Sequence, residues 1–196
     1  RSNSALLTLM RYILKTLKLN GHSLFVLSLT KGDFWESRIS ELGIPVIWVG
    51  KPTPRILRLL LILMQIMKIS PQIIHSQSFH TNLYASVVGF LLRKKVIGSL
   101  RSDVYSEIES AGALGHLCFH LPPLLAANSQ AGIFNALTLG KPSSQLFFLP
   151  NVVDETHFST ISRKGNGRNL QVIFVGTMRG PKKVDRIISI AKKCLE

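Results

Sequence analysis

Acidic side chains are scarce in this sequence. Ten Asp and Glu stand against 24 Lys and Arg, a formal net charge of +14 over 196 residues. Such an imbalance points to an acidic partner: nucleic acid, anionic lipid or a phosphorylated substrate. Cysteine is nearly absent. The two that occur, Cys118 and Cys194, fit no metal or redox spacing, which favours a reduced, cytoplasmic setting. No Asp-x-Asp pair offers carboxylates to a metal. No G-x-G-x-x-G follows any strand-like run, which argues against a dinucleotide-dependent oxidoreductase unless such a turn precedes Arg1. Basic residues are spread over many segments with no aromatic-interleaved stripe, so no nucleic-acid module is visible and no nucleic-acid partner is expected. The longest apolar stretch, from Leu57 to Met67, is interrupted by Arg58 and Gln65 and is too short for a membrane span of about 20 residues. Repeats and low-complexity tracts are also absent.

What is present is a chain of 46% hydrophobic residues and a mean hydropathy of +0.26, enough for a full core. Ala5, Leu6, Leu9, Met10, Ile13, Leu14 and Leu17 form a helical stripe opposite Thr8, Arg11, Lys15 and Lys18, stopped by Asn20-Gly21. A strand over 23–29 follows, then a helix from the capping pattern Asp33-Phe34-Trp35-Glu36 to Gly43, and a strand over 44–49. Thr53-Pro54 opens a third helix, read as buried, with a membrane-surface helix as the alternative. Ser70-Pro71 breaks the chain. Gln72 to His75 is a strand leading into a helix through Leu92, and Val96 to Leu100 is the next strand. A helix over 104–121, with Gly112 and Gly115 against it, precedes a short strand at Leu124–Ala127. Asn128-Ser129 caps a helix ended by Gly140 and Pro142, and Gln145 to Leu149 is a strand. Residues 161–168 read as a polar linker. Leu170 to Val175 reads as a strand buried on both faces. A basic loop with Arg179, Lys182 and Lys183 follows, then a helix from Val184. Strands and helices alternate throughout, so the predicted fold is α/β, a doubly wound parallel Rossmann-like sheet.

The run Val175-Gly176-Thr177-Met178-Arg179-Gly180-Pro181-Lys182-Lys183-Val184-Asp185 resembles the opening of the C-terminal domain of GT-B glycosyltransferases, in particular glycosyltransferase family 4. That family's pattern is a strand, Gly-Arg-Leu, a loop, then Lys-Gly-Val-Asp and a helix. Further matches run along nearly the whole chain. Asn20-Gly21-His22 lies before a strand, Gln72 to His75 leads into Ser76-Gln77, Ala127-Asn128-Ser129 opens a helix, and Asn151 to Phe158 resembles "N-G-V-D-x-x-x-F". Departures are Thr177 at the family's arginine, Gln77 at its second histidine, Val152 and Lys183 at two of its glycines, and Arg101-Ser102-Asp103 where many relatives carry a histidine.

The resemblance implies a GT-B N-terminal acceptor-side domain over 1–160, the linker 161–168, and the start of a nucleotide-sugar-binding domain over 169–196. Because the chain begins at Arg1 and ends in a helical pattern, it is expected to be a fragment with its first strand upstream. The implied enzyme moves a sugar from a nucleotide-sugar to a glycan or lipid-linked envelope acceptor, with retention, no metal and no cofactor. It would work in the cytoplasm or peripherally on an anionic inner membrane face. The fragment alone is expected to be inactive. A GT-B sugar-nucleotide epimerase and a non-catalytic basic membrane or nucleic-acid binder are the alternatives.

The candidate catalytic residues are His75 and Arg101, both following strands; a satisfied structural histidine and an ion pair of Arg101 with Asp103 or Glu107 are the competing readings. Gly176, Arg179 and Lys182 are assigned to the donor diphosphate. Ser76, His80, Asp103, Asn128 and Ser129 are assigned to the acceptor side, with Asn128 and Ser129 also read as helix caps. In a chain carrying the complete second domain, Lys182→Ala is expected to lower turnover about a hundred- to thousandfold, since it removes a fixed charge from a departing diphosphate. Lys183→Ala should have little effect and Arg179→Ala an intermediate one; steady-state kinetics with circular dichroism as folding control distinguishes them.

Overall fold

The computed structural model describes residues 4–32, 34–50, 54–152, 173–174 and 183–194. The chain divides into two units, Arg1–Glu155 and Thr156–Glu196. The expected linker at 161–168 lies outside the described residues.

In the first unit, α1 (Ser4–Leu19) buries Leu9 and Leu14 and ends at Gly21, whose φ of +80° suits glycine. Strand β1 (Val26–Ser28) pairs in parallel with β2 (Val46–Trp48), and α2 (Phe34–Ser40) connects them. Leu14, Ile39 and Ile44 form the core of this part, with Met10, Leu24 and Val26 packed around it. Lys18, expected on the polar face of its helix, instead donates to the carbonyls of Leu42 and Gly43 and so caps the turn after α2. Asp33 lies outside the described residues, and its presumed partner Glu36 accepts from the Gly32 N–H at 2.7 Å.

Helix α3 (Arg55–Ile69) departs from the sequence reading. It was read as buried, yet Ile66 is its one buried residue, and Ile56, Leu60, Met64 and Met67 stand exposed. The reason is geometric. Most positions are apolar, but among the described elements the main packing partner of α3 is α4 (Phe79–Leu91), which covers one face. The Thr53 cap lies outside the described residues, and Pro54 precedes the helix as its N-cap residue.

The remaining strands are β3 (Ile73–His75), β4 (Lys95–Leu100), β5 (Leu124–Ala127) and β6 (Leu146–Phe148), all parallel and in that order. The single sheet expected from the alternation is therefore present as two, a pair and a quartet, with no hydrogen-bonded pairing between them among the described residues. The one helix expected over 104–121 is three pieces: α5 (Val104–Ala111), a 3-10 turn at Gly112–Leu114, and α6 (Gly115–His120). Gly112 breaks it with φ +59°, and a Cβ at Gly115 would sit 2.2 Å from the Ile108 carbonyl oxygen, so only glycine lets α6 start this close to α5. Helix α7 (Gln130–Thr138) follows β5. The main core joins Phe79, Leu100, Val104, Cys118, Phe119, Leu125, Ala127 and Ala136.

In the second unit, α8 (Val184–Lys193) is the helix expected after the basic loop, with Asp185 in its first turn and Lys192 and Lys193 in its last. Of the expected strand over 170–175, Ile173 and Phe174 are described, and Ile173 is 84% exposed rather than buried. A strand's apolar faces are covered only by elements packed on both sides, and α8 is the one described element of this unit.

Two buried polar groups hold the main core. Asn82 is fully buried on α4. Its amide donates to the carbonyls of Ser99 and Cys118, both at 3.2 Å, and its carbonyl accepts from the Ser99 N–H at 2.9 Å and from the Ser76 hydroxyl. Lys141 is 3% exposed and donates to the carbonyls of His120 and Pro122 at 3.0 and 2.6 Å, with a longer contact to Phe119, closing the C-terminal end of α6. Asn82→Ala should therefore cost about 3 kcal/mol, because it strands buried backbone groups as well as removing bonds. Ser86→Ala, on the same helix, should be neutral or stabilising, since the buried Ser86 hydroxyl has no partner. Urea unfolding of the two variants tests the contrast.

Candidate functional site

In parallel α/β sheets, ligands collect beyond the carboxyl ends of the strands. Here His75 ends β3, Arg101 follows β4, Asn128 follows β5 and Leu149 follows β6. Hydrogen bonds tie these ends to one another. The Asn128 N–H donates to Leu100 O at 3.1 Å, its side-chain amide donates to Arg101 O at 3.2 Å, and Arg101 Nη1 donates to Leu149 O at 3.2 Å. The sheet's edge thus carries a braced rim with one guanidinium in it.

His75 is held from both sides. The Gln77 amide lies 3.1 Å from Nδ1, and Ser99 Oγ lies 3.5 Å from Nε2. Ser99 Oγ donates its own proton to Ser76 O at 2.7 Å, so it accepts from the ring. These partners assign the neutral tautomer with the proton on Nε2. Burial, with the Arg101 charge adding to it, lowers the imidazole pKa from 6.5 to about 4. A ring so biased is neutral at physiological pH and too weak a base to suit general-base work near neutrality.

Arg101 differs. Burial lowers its pKa too, but an arginine starts high enough to stay charged. Its Nε and Nη2 are shut off from solvent and have no hydrogen-bond partner among the described residues. The ion pair with Asp103 or Glu107 considered from the sequence does not form: Asp103 is the N-cap of α5, accepting from the Ser106 N–H and hydroxyl, both at 2.9 Å, and from the Asn135 amide at 3.3 Å. Nε and Nη2 form one edge of a guanidinium, the edge that fits a carboxylate or phosphate with two parallel bonds.

The other residues singled out from the sequence are dispersed. Ser76 is buried and bonded to Asn82. Ser129 caps α7 through the Gly132 N–H at 3.0 Å. His80, exposed in the first turn of α4, lines a separate cleft of about 610 Å³ with Arg55, Arg58, Leu59 and Tyr84, to which neither His75 nor Arg101 contributes. Gly176, Arg179 and Lys182 lie outside the described residues. Sequence reasoning missed Gln77 and Ser99 as the partners of His75, and Asn82 behind them. A signal existed for Asn82: it falls in phase with Phe79, Ala85 and Ser86 on the buried face of its helix. Among the described residues, no group of His, Cys, Asp and Glu is placed to hold a metal ion.

No protein-family model matches this chain, and no curated protein matches it. Solved structures do. Anabaena Alr3699/HepE in complex with UDP-glucose aligns with a TM-score of 0.63 at 15% identity, over 83% of this chain and 44% of that one. The same protein with UDP and glucose gives 0.62 at 15% identity over the same shares. A putative UDP-N-acetylglucosamine 2-epimerase from Listeria monocytogenes gives 0.56 at 13% identity, over 75% of this chain and 43% of that one. The fold is therefore the Rossmann-like parallel α/β fold of GT-B proteins. This chain spans less than half the length of each of these structures.

The buried imidazole gives a pH test with a defined sign. Unfolded, His75 takes up a proton near pH 6.5; folded, near 4. Between those values the unfolded chain binds more protons, so its contribution is complete above about pH 6.5 and is lost as pH falls toward 4. The difference in unfolding free energy between wild type and His75→Gln should shrink by about 3 kcal/mol across that window. Urea melts at a series of pH values measure it, and a flat difference curve would show that the folded ring titrates normally.

Proposed function

We propose that this chain forms the acceptor-side domain and the start of the donor-side domain of a nucleotide-sugar-dependent glycosyltransferase. Its donor would be a nucleoside-diphosphate sugar and its acceptor a glycan or a lipid-linked envelope glycan, with transfer at the cytoplasmic face. The observation that carries the reading is the fold shared with structures solved with UDP-glucose and with UDP. Further support comes from the rim at the strand ends, where a charged arginine holds two donors that nothing among the described residues satisfies.

In this reading the two residues first taken as catalytic divide the work. Arg101 carries the charge and would hold an anionic group of the substrate in a two-bond grip. His75 is a positioning residue: neutral, fixed by Gln77 and Ser99, it shapes the wall beside Arg101 and adds no second cation to it. Transfer with retention and without a metal belongs to the proposal as well, with Gly176, Arg179 and Lys182 steadying the leaving diphosphate. Asn128 and Ser129 would set the floor of the acceptor site, and Asp103 and Ser76 would support it from behind.

A second reading, a sugar-nucleotide epimerase, is favoured by the likeness to the Listeria structure. The two differ in one respect. A transferase consumes nucleotide-sugar only with an acceptor, whereas an epimerase interconverts it alone.

The test uses a chain carrying the complete second domain, incubated with UDP-sugars with and without acceptor, and follows product anomers by NMR. Acceptor-dependent release of UDP with a retained anomeric configuration is expected, and acceptor-independent isomerisation would move the assignment to the epimerase. Arg101→Ala should lower turnover about a hundredfold, and Arg101→Lys should recover little, because an ammonium cannot reproduce the fork. The 196-residue chain by itself should show no turnover.

A further inference from the structure

A second cleft opens at the other end of the sheet from the rim. Helix α4 finishes in a tight reversal. The Arg93 N–H donates to Phe90 O at 3.3 Å and the Lys94 N–H to Gly89 O at 2.8 Å, a Schellman turn that delivers the chain to the start of β4. Arg93 takes the left-handed position of this turn, with φ +52°, where glycine is the usual residue. Leu121 to Pro123 carries the chain from α6 into β5. Between the two returns lies a cavity of about 620 Å³, a size that suits a small organic ligand. It shares no lining residue with the cleft beside His80 or with the rim.

Three kinds of group line it. Phe90, Val96, Leu121 and Pro123 are apolar, and Phe90 is 84% exposed. Arg93 and Lys94 are cationic, and no acidic side chain stands beside them in the lining. Lys94 donates to Ser70 Oγ at 3.1 Å, which leaves its ammonium two further donors. The Arg93 guanidinium makes no hydrogen bond or ion pair among the described residues. The third kind is the Ser86 hydroxyl. Ser86 is 6% exposed, and its Oγ is shut off from solvent with no partner among the described residues. A serine inside a helix ordinarily bonds the carbonyl four residues back or faces water, and this one does neither. An arginine where glycine suits the backbone and a buried hydroxyl left unpaired both work against the stability of the empty protein. A ligand that uses the guanidinium and the hydroxyl accounts for both.

We propose that this cavity binds a small amphipathic anion, an aromatic or branched apolar body carrying one phosphate or carboxylate. The head group lies between Arg93 and Lys94, and the body packs on Phe90, Leu121 and Pro123. Ser86, turned about χ1, donates to an oxygen of the ligand. The site is independent of the nucleotide-sugar reading. It lies at the amino ends of β4 and β5, whereas His75 and Arg101 stand at the carboxyl ends of their strands.

The experiment is a titration of the isotope-labelled 196-residue chain with phenyl phosphate, followed by amide shifts in heteronuclear NMR spectra. Saturable shifts should centre on Ser86, Phe90, Arg93 and Lys94. Benzoate in a second arm tells a carboxylate head from a phosphate. Arg93→Gly should weaken binding about tenfold or more, and Ser86→Ala about three- to tenfold. Both should leave the urea midpoint of the free chain unchanged or raised, which separates loss of affinity from loss of fold. Lys15→Gln, at an exposed cation on α1, should change neither quantity. Shifts confined to the strand ends around Arg101, unchanged affinity in both variants, or no saturation by either probe would overturn the proposal. So would equal affinity for inorganic phosphate, which lacks the body, or for benzyl alcohol, which lacks the charge. Binding is read here without any turnover, so a negative result leaves the nucleotide-sugar reading standing, and loss of that reading leaves this site untouched.

Discussion

The main core turns on one amide. Strand β3 stops pairing at His75, opposite Ile97, and the chain leaves the sheet for α4. From Ser99 onward, β4 therefore has no strand on that side, and a buried N–H and C=O would be left unpaired at a cost of several kcal/mol. Asn82 reaches back from the first turns of α4 and does what the missing strand residue would have done, accepting from Ser99 N and donating to Ser99 O. Its second donor bond goes to Cys118 O, so the same side chain fastens α6. A fully satisfied buried amide fixes its neighbours in one arrangement; an apolar residue of similar size would leave them free to slide.

Everything at the strand ends inherits that order. Ser99, once its backbone is held, turns its hydroxyl to Ser76 O, and this hydroxyl then becomes the acceptor for His75 Nε2. Ser76, in turn, bonds Asn82. The chain of partners runs from helix to strand to imidazole, with the Asn82 carbonyl accepting from both Ser99 N–H and the Ser76 hydroxyl. The rim is braced because the Asn82 amide behind it is fully bonded, while the Nε–Nη2 edge of its arginine has no partner among the described residues.

The fold class was legible because its signals are local. Runs such as Val96 to Leu100 and Leu124 to Ala127 are apolar and bounded by turn residues, and each became a strand within a residue or so of its expected limits. Residues that do two jobs were not legible. Lys18 was read on the polar face of its helix and Lys141 drew no reading, yet each closes the end of a distant helix, a contact set by tertiary approach and carrying no mark in the local pattern. The burial of α3 was misjudged for a related reason. A helix apolar on all sides has no periodic signal to say which side is covered, and only its neighbours decide. At the site, position was readable and role was not. His75, Arg101 and Asn128 do follow strands, but only the hydrogen bonds separate a held imidazole and a bracing amide from a guanidinium with donors to spare.

The pairing of His75 with Arg101 has its own electrostatic logic. Two cations side by side in a partly dry rim would repel strongly, and burial already opposes charge on the imidazole. The site resolves this by placing the whole positive charge on Arg101 and leaving the ring neutral. A single guanidinium with its Nε–Nη2 edge unpaired is then costly to keep in the empty protein, since charged donors out of reach of water lose more than neutral ones. In the proposed reading an anion arriving at that edge would relieve this cost, so part of its binding energy would be set aside in the folded state. A second charge on His75 would have strengthened attraction at long range. It would also have opened a competing use for the anion, away from the edge where two parallel bonds fix its orientation. In the proposed reading the neutral histidine would let one arginine act as a directional grip and not merely as a patch of positive potential.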